Sequence, residues 1–546
     1  MAGKDYFTDN ESLKSDFSAA RAIITAPFFG NNVKEVRDVA SAYELARTSS
    51  GIVELEGEPI PNFKKLGLKK NTKRLLFNDG AVVGRCAAAR RIVGEDNCNL
   101  TELLPILREA VYKTRYKKMY KAQTVVGLDK DFMIRANLLI PENFEHILYG
   151  WMLNFQSITK EYSKMYKASK KLNTSDIYII SDPDWSHPNH PYGLTFFDAE
   201  HNCAAILGMR YFGEHKKGTL TLAWGSAARN GYVSCHGGMK RYTKGKDSYQ
   251  CAFLGLSGSG KSTITHADHI KDYKVSVLHD DAFIINSKEK FSIALEPAYF
   301  DTTRDYPADC EDNKHVLIYQ NAGVIQDEKG KMYAITGDIR NGNGRAIKSR
   351  YREKNRADRF DNPVNSIFWL MKDSSLPPVL KIEDSILASS LGATLATKRT
   401  VAERLVKGVD RNALVIEPYA NPFRVYPLCV DYERFKELFS TGVDCYILNT
   451  GDFRGQNIEP KVTLSILEKI VKGEAKFEKW SRFDSLLTMQ IDGFDTTLEG
   501  EEIKDDFRHN WEHRISFVKS RETEKSGVDK LPAEVVEKLE GILSLI

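Results

Sequence analysis

The stretch Cys251-Ala-Phe-Leu-Gly-Leu-Ser-Gly-Ser-Gly-Lys-Ser-Thr263 decides how the rest of this 546-residue chain is read. Its first four residues, Cys251–Leu254, form an apolar run of strand type. The next eight, Gly255 to Ser262, fit the pattern G-x-x-x-x-G-K-S/T at every fixed position. The glycines let backbone N–H groups turn inward and form a nest for phosphate oxygens. Lys261 is set to reach the β- and γ-phosphates, and the Ser262 hydroxyl to ligate Mg²⁺. A helix begins near Ser262 and directs its N-terminal partial charge at the same phosphates. The expected nucleotide cradle is Gly255, Leu256, Ser257, Gly258, Ser259, Gly260, Lys261, Ser262 and Thr263.

Working outward, a second apolar strand, Val275–Leu278, ends at the acidic pair Asp280-Asp281. A strand that delivers a carboxylate to the phosphate-bound metal is a recurring part of such sites. Asp281 is the candidate, with Asp280 beside it. Strand, glycine loop, helix and strand in that order predict an α/β nucleotide-binding core. Upstream, Leu100–Tyr116 and Phe144–Lys170 carry apolar residues at helical spacing, while Ile177–Ser181, Thr195–Phe197 and Ala204–Leu207 have strand character. At the far end, Pro532–Leu545 is an amphipathic packing helix. A chain of this length exceeds one hydrophobic core, so two domains are expected, 1–234 and 235–546.

Composition narrows the function classes. With 78 basic against 74 acidic side chains, the net charge of +4 is too even to argue for nucleic acid or a membrane surface as partner. The locally basic Lys64–Arg74 reads as a solvated face. The eight cysteines are scattered singly, which suits reduced thiols of a cytoplasmic protein rather than a zinc ribbon or a redox pair. Met1–Lys14 is polar, and no segment approaches the ~20 apolar residues that a membrane span needs.

Several further blocks occur in a fixed order: Gly84-Arg85; Ile206-Leu-Gly through Lys217-Gly218, which includes Tyr211-Phe-Gly-Glu-His-Lys-Lys217; His236; the phosphate loop; Asp280-Asp281; Arg345; Leu376-Pro-Pro-Val379; Glu417-Pro418; and Asn449-Thr-Gly451. Across roughly residues 80 to 480 this arrangement resembles ATP-dependent phosphoenolpyruvate carboxykinase. The resemblance implies an N-terminal α/β domain and a C-terminal nucleotide-binding domain with the active site in the cleft between them. It implies ATP, Mg²⁺ and Mn²⁺ as cofactors, with Lys217, His236 and Asp281 as Mn²⁺ ligands and Ser262 on the nucleotide-bound Mg²⁺. A lysine ligates only when neutral, so its pKa must fall, and the nearby cation and Lys216 would both push that way. Arg85 matches an arginine that grips the substrate carboxylate, and Tyr211 a tyrosine near the metal-bound substrate. Arg345 matches the arginine that, with Lys261, neutralises the transferring phosphoryl group. Lys461, in Lys461-Val-Thr463, falls near the adenine pocket. The implied reaction decarboxylates oxaloacetate and phosphorylates the enolate with ATP, giving phosphoenolpyruvate, CO₂ and ADP. The implied partner is therefore a small-molecule substrate, and the protein a monomer or small homo-oligomer.

The chain departs from the family pattern in places. Cys86-Ala-Ala-Ala-Arg90 stands where Ser/Thr-Pro-x-Asp-Lys is usual, and Gly237-Gly-Met-Lys240 where Cys-Ser-Ala-Asn is usual. Glu296-Pro-Ala-Tyr-Phe-Asp-Thr302 replaces a glycine-rich segment that ends in a lysine. These departures keep two alternatives open. One is a kinase on the same core with a different small-molecule or protein acceptor, and the other a nucleotide-binding regulator without turnover.

Overall fold

The computed structural model describes residues 18–78, 84–256, 258–303, 310–335, 343–398, 404–405, 407–409 and 413–546. It is a mixed α/β structure of two compact units. The first comprises the described parts of Met1–Asn230, Leu295–Arg356 and Val401–Val409, and the second those of Gly231–Ala294, Ala357–Thr400 and Asp410–Ile546. The chain thus crosses between units repeatedly, where the sequence suggested one division at 234/235.

In the first unit an eight-stranded mixed sheet runs in the order Val33–Val36, Met119–Asp129, Phe132–Pro141, Ile177–Asp182, Cys203–Leu207, Leu194–Asp198 and Arg90–Ile92, with Gln156–Ser157 paired to Met119–Asp129. Helix Leu100–Lys113 starts where the Asn99 side chain accepts the Thr101 N–H, and it buries Leu103, Leu107 and Ala110 at helical spacing. The apolar spacing over Phe144–Lys170 does not make one helix. Glu145–Asn154 is wholly buried, Gln156–Ser157 joins the sheet, and Thr159 caps a separate helix Lys160–Ala168 by accepting the Tyr162 N–H. A five-stranded sheet carries Tyr299–Thr302, Arg345–Lys348, Val316–Gln320, Arg74–Phe77 and Ile52–Leu55 in that order.

The second unit is built on a larger sheet. Three of its neighbours are parallel: Asp247–Leu254, Ser366–Met371 and Asp444–Asn449, with Leu254 opposite Trp369 and Met371 opposite Asn449. On one face Phe253, Phe368, Leu370, Tyr446 and Leu448 pack with Ile264 and with Ile466, Leu467 and Ile470 of helix Pro460–Val471. On the other face Trp369 stacks edge-on with Tyr419, Phe435 and Phe439. The predicted C-terminal helix is present as Ala533–Leu543. All eight cysteines are free, five of them buried. Among the described residues no helix is long and apolar enough to cross a membrane.

Candidate active site

The phosphate loop follows the strand Asp247–Leu254 and leads into a short helix, Lys261–His266. Gly258 and Gly260 have φ of 82° and 84°, a left-handed backbone that an L side chain resists. Gly255 is required by crowding instead, since a Cβ there would lie 2.3 Å from Ser259 Oγ and 2.8 Å from Leu370 Cβ. The Ser259 hydroxyl is buried with no hydrogen-bond partner. Ser262 is half-buried and Thr263 exposed, while Ser257 lies outside the described residues.

Beside the loop, Lys261, His236 and Asp281 converge. Lys261 Nζ donates to Asp281 Oδ1 at 2.9 Å and lies 3.4 Å from His236 Nε2, which is 3.1 Å from Asp281 Oδ1. His236 Nδ1 meets the Ala420 carbonyl, and a carbonyl only accepts, so Nδ1 carries the proton. In the neutral ring Nε2 therefore presents its lone pair to Lys261 and Asp281. Orientation of a ligating histidine through its other nitrogen is the arrangement found at metal centres. Tyr419 and Ala420, both at φ 52°, aim that carbonyl. Two consecutive non-glycine residues in this region cost of order 1 kcal/mol or more each, and the strain is held where it fixes the tautomer.

A divalent cation fits between these two groups. Octahedral ligands at about 2.1 Å lie about 3 Å apart along an edge, which the 3.1 Å between His236 Nε2 and Asp281 Oδ1 matches. The ammonium of Lys261 already bridges the same two atoms, so the position favours positive charge. Among the described residues no group of three His, Cys, Asp or Glu side chains converges as a metal site. His236 and Asp281 supply two ligands, and any further one must be of another kind.

Asp280 is more deeply buried than its neighbour. Burial alone would raise its carboxyl, but the bond from His266 Nε2 at 3.1 Å and the positive charge beside it hold the group well below the usual carboxylate range. His279 Nδ1 lies 3.7 Å away, yet it accepts the N–H groups of Asp281 and Ala282 and so donates nothing to Asp280. Asp280 Oδ1 is buried without a partner. Lys461, in the first turn of its helix, is 80% exposed and paired with Glu459 at 2.7 Å. That bond raises its pKa and turns the charge toward solvent.

The other predicted residues belong to the first unit. From Phe212 to Ala228 every residue of the helix Phe212–Arg229 is buried except Lys217, whose Nζ lies 5.6 Å from the Trp224 ring centre. Lys216 is fully buried and ion-paired with Glu296 at 3.0 Å. Around Phe300 gather Lys216, Arg345 and Tyr211, at 5.5, 5.7 and 6.5 Å from its ring centre. Tyr211 folds back on its own helix because Gly213 leaves room, a Cβ there lying 2.3 Å from the ring. Arg345 donates from Nε to Asn343 at 2.8 Å, and one buried Nη has no partner, a geometry suited to an anion. Arg85 is half-buried, and its carbonyl accepts the Arg404 N–H at 2.8 Å.

A family model described as phosphoenolpyruvate carboxykinase matches residues 62–497. The chain belongs to the phosphoenolpyruvate carboxykinase family. A protein of Aeropyrum pernix named phosphoenolpyruvate carboxykinase (ATP) is 23% identical over 393 residues, which cover 69% of this chain and 75% of that one.

Within this carboxykinase-family chain, the departure after His236 now has a physical reason. A Cβ on Gly238 would lie 1.9 Å from Thr265 Oγ1, and one on Gly237 2.4 Å from the Phe253 carbonyl. Gly238 thus lets the phosphate-loop helix sit tightly on its sheet, and Gly237 lets its strand approach the phosphate-loop strand closely. Lys240, fully buried, donates to the carbonyls of Ile264 at 2.5 Å and Ala267 at 3.0 Å. It closes the C-terminal end of that helix, where cations are favoured. This role is not legible in the sequence, where Lys240 stands only as a departure from the family pattern.

Proposed function

We propose that the chain is an ATP-dependent enzyme of phosphoenolpyruvate carboxykinase type that decarboxylates oxaloacetate and phosphorylates the resulting enolate. The observation that carries the reading is the convergence of Lys261, His236 and Asp281 beside a complete phosphate loop. Lys261 would leave Asp281 for the β- and γ-phosphates once nucleotide binds, and the loop N–H groups would hold the remaining oxygens. His236 and Asp281 would hold a transition metal such as Mn²⁺, with Lys217 as third ligand by family resemblance, and Ser262 would serve the nucleotide-bound Mg²⁺. Bound there, the cations would supply Lewis-acid stabilisation of developing negative charge. Arg345, with an unpartnered Nη, would neutralise the phosphoryl group in transfer. Arg85 would grip the substrate carboxylate, and Tyr211 would line the same substrate. Asp280 would act behind Asp281, and Lys461 would reach the adenine only by leaving Glu459. A small-molecule substrate and a cytoplasmic setting accompany this reading, with the unit that holds Arg85 and Tyr211 serving the substrate and the unit that holds the phosphate loop serving the nucleotide.

A second reading keeps the phosphoryl chemistry and changes the acceptor. It is favoured by the segment Glu296–Thr302, where Glu296 is taken up by Lys216 and the Thr302 hydroxyl is buried without a partner. Incubation with oxaloacetate, ATP, Mg²⁺ and Mn²⁺ separates the two. Mn²⁺-stimulated phosphoenolpyruvate formation that Lys261→Ala abolishes is the expected result. Tight ATP·Mg²⁺ binding without product would overturn the oxaloacetate reaction in favour of another acceptor.

A further inference from the structure

Lys372 stands one residue past the end of the strand Ser366–Met371, which is the parallel neighbour of the phosphate-loop strand. Ligands of open parallel sheets bind outside the carboxyl ends of the strands. Here three adjacent ends lead into Gly255, Lys372 and Thr450-Gly451. The spacing is close. A Cβ on Gly260 of the loop would be 4.0 Å from Thr450 Cγ2, and one on Gly451 would be 3.2 Å from Lys372 Cβ and 3.4 Å from its Cγ. The turn Asn449–Gly451 is therefore flanked by the loop on one side and by the stem of Lys372 on the other. Strand alternation continues the face of Phe368 and Leu370 to Lys372, and Ile264 of the loop helix packs on that face.

Among the described residues the charge of Lys372 has no counterpart. Among the described residues no carboxylate pairs with it and no acceptor takes its protons. Its N–H donates to the Ala396 carbonyl at 3.1 Å, which brings it beside the short strand Ala396–Lys398. Burial, and then the charge of Lys398, lower its pKa. A half-buried ammonium next to a second lysine is unfavourable unless an anion is supplied.

We propose that Lys372, with Lys398 beside it, is a second cationic arm of the phosphate loop that binds the polyphosphate of a nucleoside triphosphate. This rests on the nucleotide-binding reading above and deepens it: Lys372 is a positioning residue for the phosphate chain, in addition to Lys261.

Titration calorimetry of the full chain with ATP·Mg²⁺ and with inorganic tripolyphosphate·Mg²⁺ tests this. Lys372→Met should weaken both by about tenfold, the loss of one charge-assisted contact. Lys372→Arg should recover most of it, and the exposed Lys398→Met should weaken both two- to threefold without disturbing the fold. Wild-type affinity for both probes in Lys372→Met and Lys398→Met would overturn the arm while leaving the loop intact. Weakened ATP but unchanged tripolyphosphate binding would also overturn it, since the contact would then lie away from the phosphates. Failure of the parent to bind either probe would overturn the nucleotide reading, and the arm with it.

Discussion

Replacing Arg514 by Met should reveal how the last long helix, Glu501–Ser520, secures the strand end beside the phosphate loop. Arg514 and Asp373 are each 1% exposed. The guanidinium donates to Asp373 Oδ2 and to the Thr394 carbonyl. Asp373 Oδ1 accepts the Ser375 N–H at 3.1 Å, the Ser375 hydroxyl at 2.6 Å and the Asn510 amide at 2.9 Å. Removing one partner of a buried pair costs about 3–5 kcal/mol. Three donors stay on the carboxylate in Arg514→Met, so about 3 kcal/mol is expected there. Asp373→Asn strands a guanidinium that cannot shed its proton, so the cost should be nearer 5 kcal/mol. Urea unfolding followed by tryptophan fluorescence measures this, and the double variant should cost clearly less than the sum. A penalty under 1 kcal/mol for Arg514→Met, or strict additivity, would refute the assignment of this pair as the fastening.

Two other substitutions probe the candidate site and the pH response. His236→Gln should weaken Mn²⁺ binding by at least a hundredfold, read by the free-Mn²⁺ resonance signal, with ATP·Mg²⁺ affinity unchanged; equal Mn²⁺ affinity would remove His236 from the ligand set. Asp431 is fully buried, with Oδ1 accepting the Tyr426 hydroxyl at 3.0 Å and Oδ2 unpartnered. Burial, against the pull of Arg424, pushes its carboxyl up to about 7 from an ordinary 3.8. A raised folded value means that its stability contribution is full below about pH 4 and is lost as pH climbs through 7. Asp431→Asn should thus gain about 4 kcal/mol over the parent at pH 8 and nothing at pH 4, measured as the pH dependence of unfolding; identical pH slopes would refute it.

What could be read in the sequence was set by local backbone demands. Gly258 and Gly260 announce left-handed turns, the apolar run before them a strand, and the pattern around them a phosphate loop. The strands Ile177–Asp182 and Cys203–Leu207 were legible because buried parallel strands are continuous apolar runs. The break inside Phe144–Lys170 was not, because Thr159 interrupts a helical spacing that carries on after it. Long-range pairing of charge was equally hidden. Lys216 pairs with Glu296 and Arg514 with Asp373, partners that lie far apart in the sequence.

Least legible was the meaning of altered residues. Gly237, Gly238 and Lys240 depart from the family pattern together, and in the sequence they stand only as one of the departures that keep other readings open. In the fold Gly237 lies against the Phe253 carbonyl of the phosphate-loop strand, Gly238 admits Thr265 of the loop helix, and Lys240 closes the far end of that helix through Ile264 and Ala267. Together they tighten the strand and the helix that flank the phosphate loop, with the buried charge of Lys240 held by two backbone carbonyls.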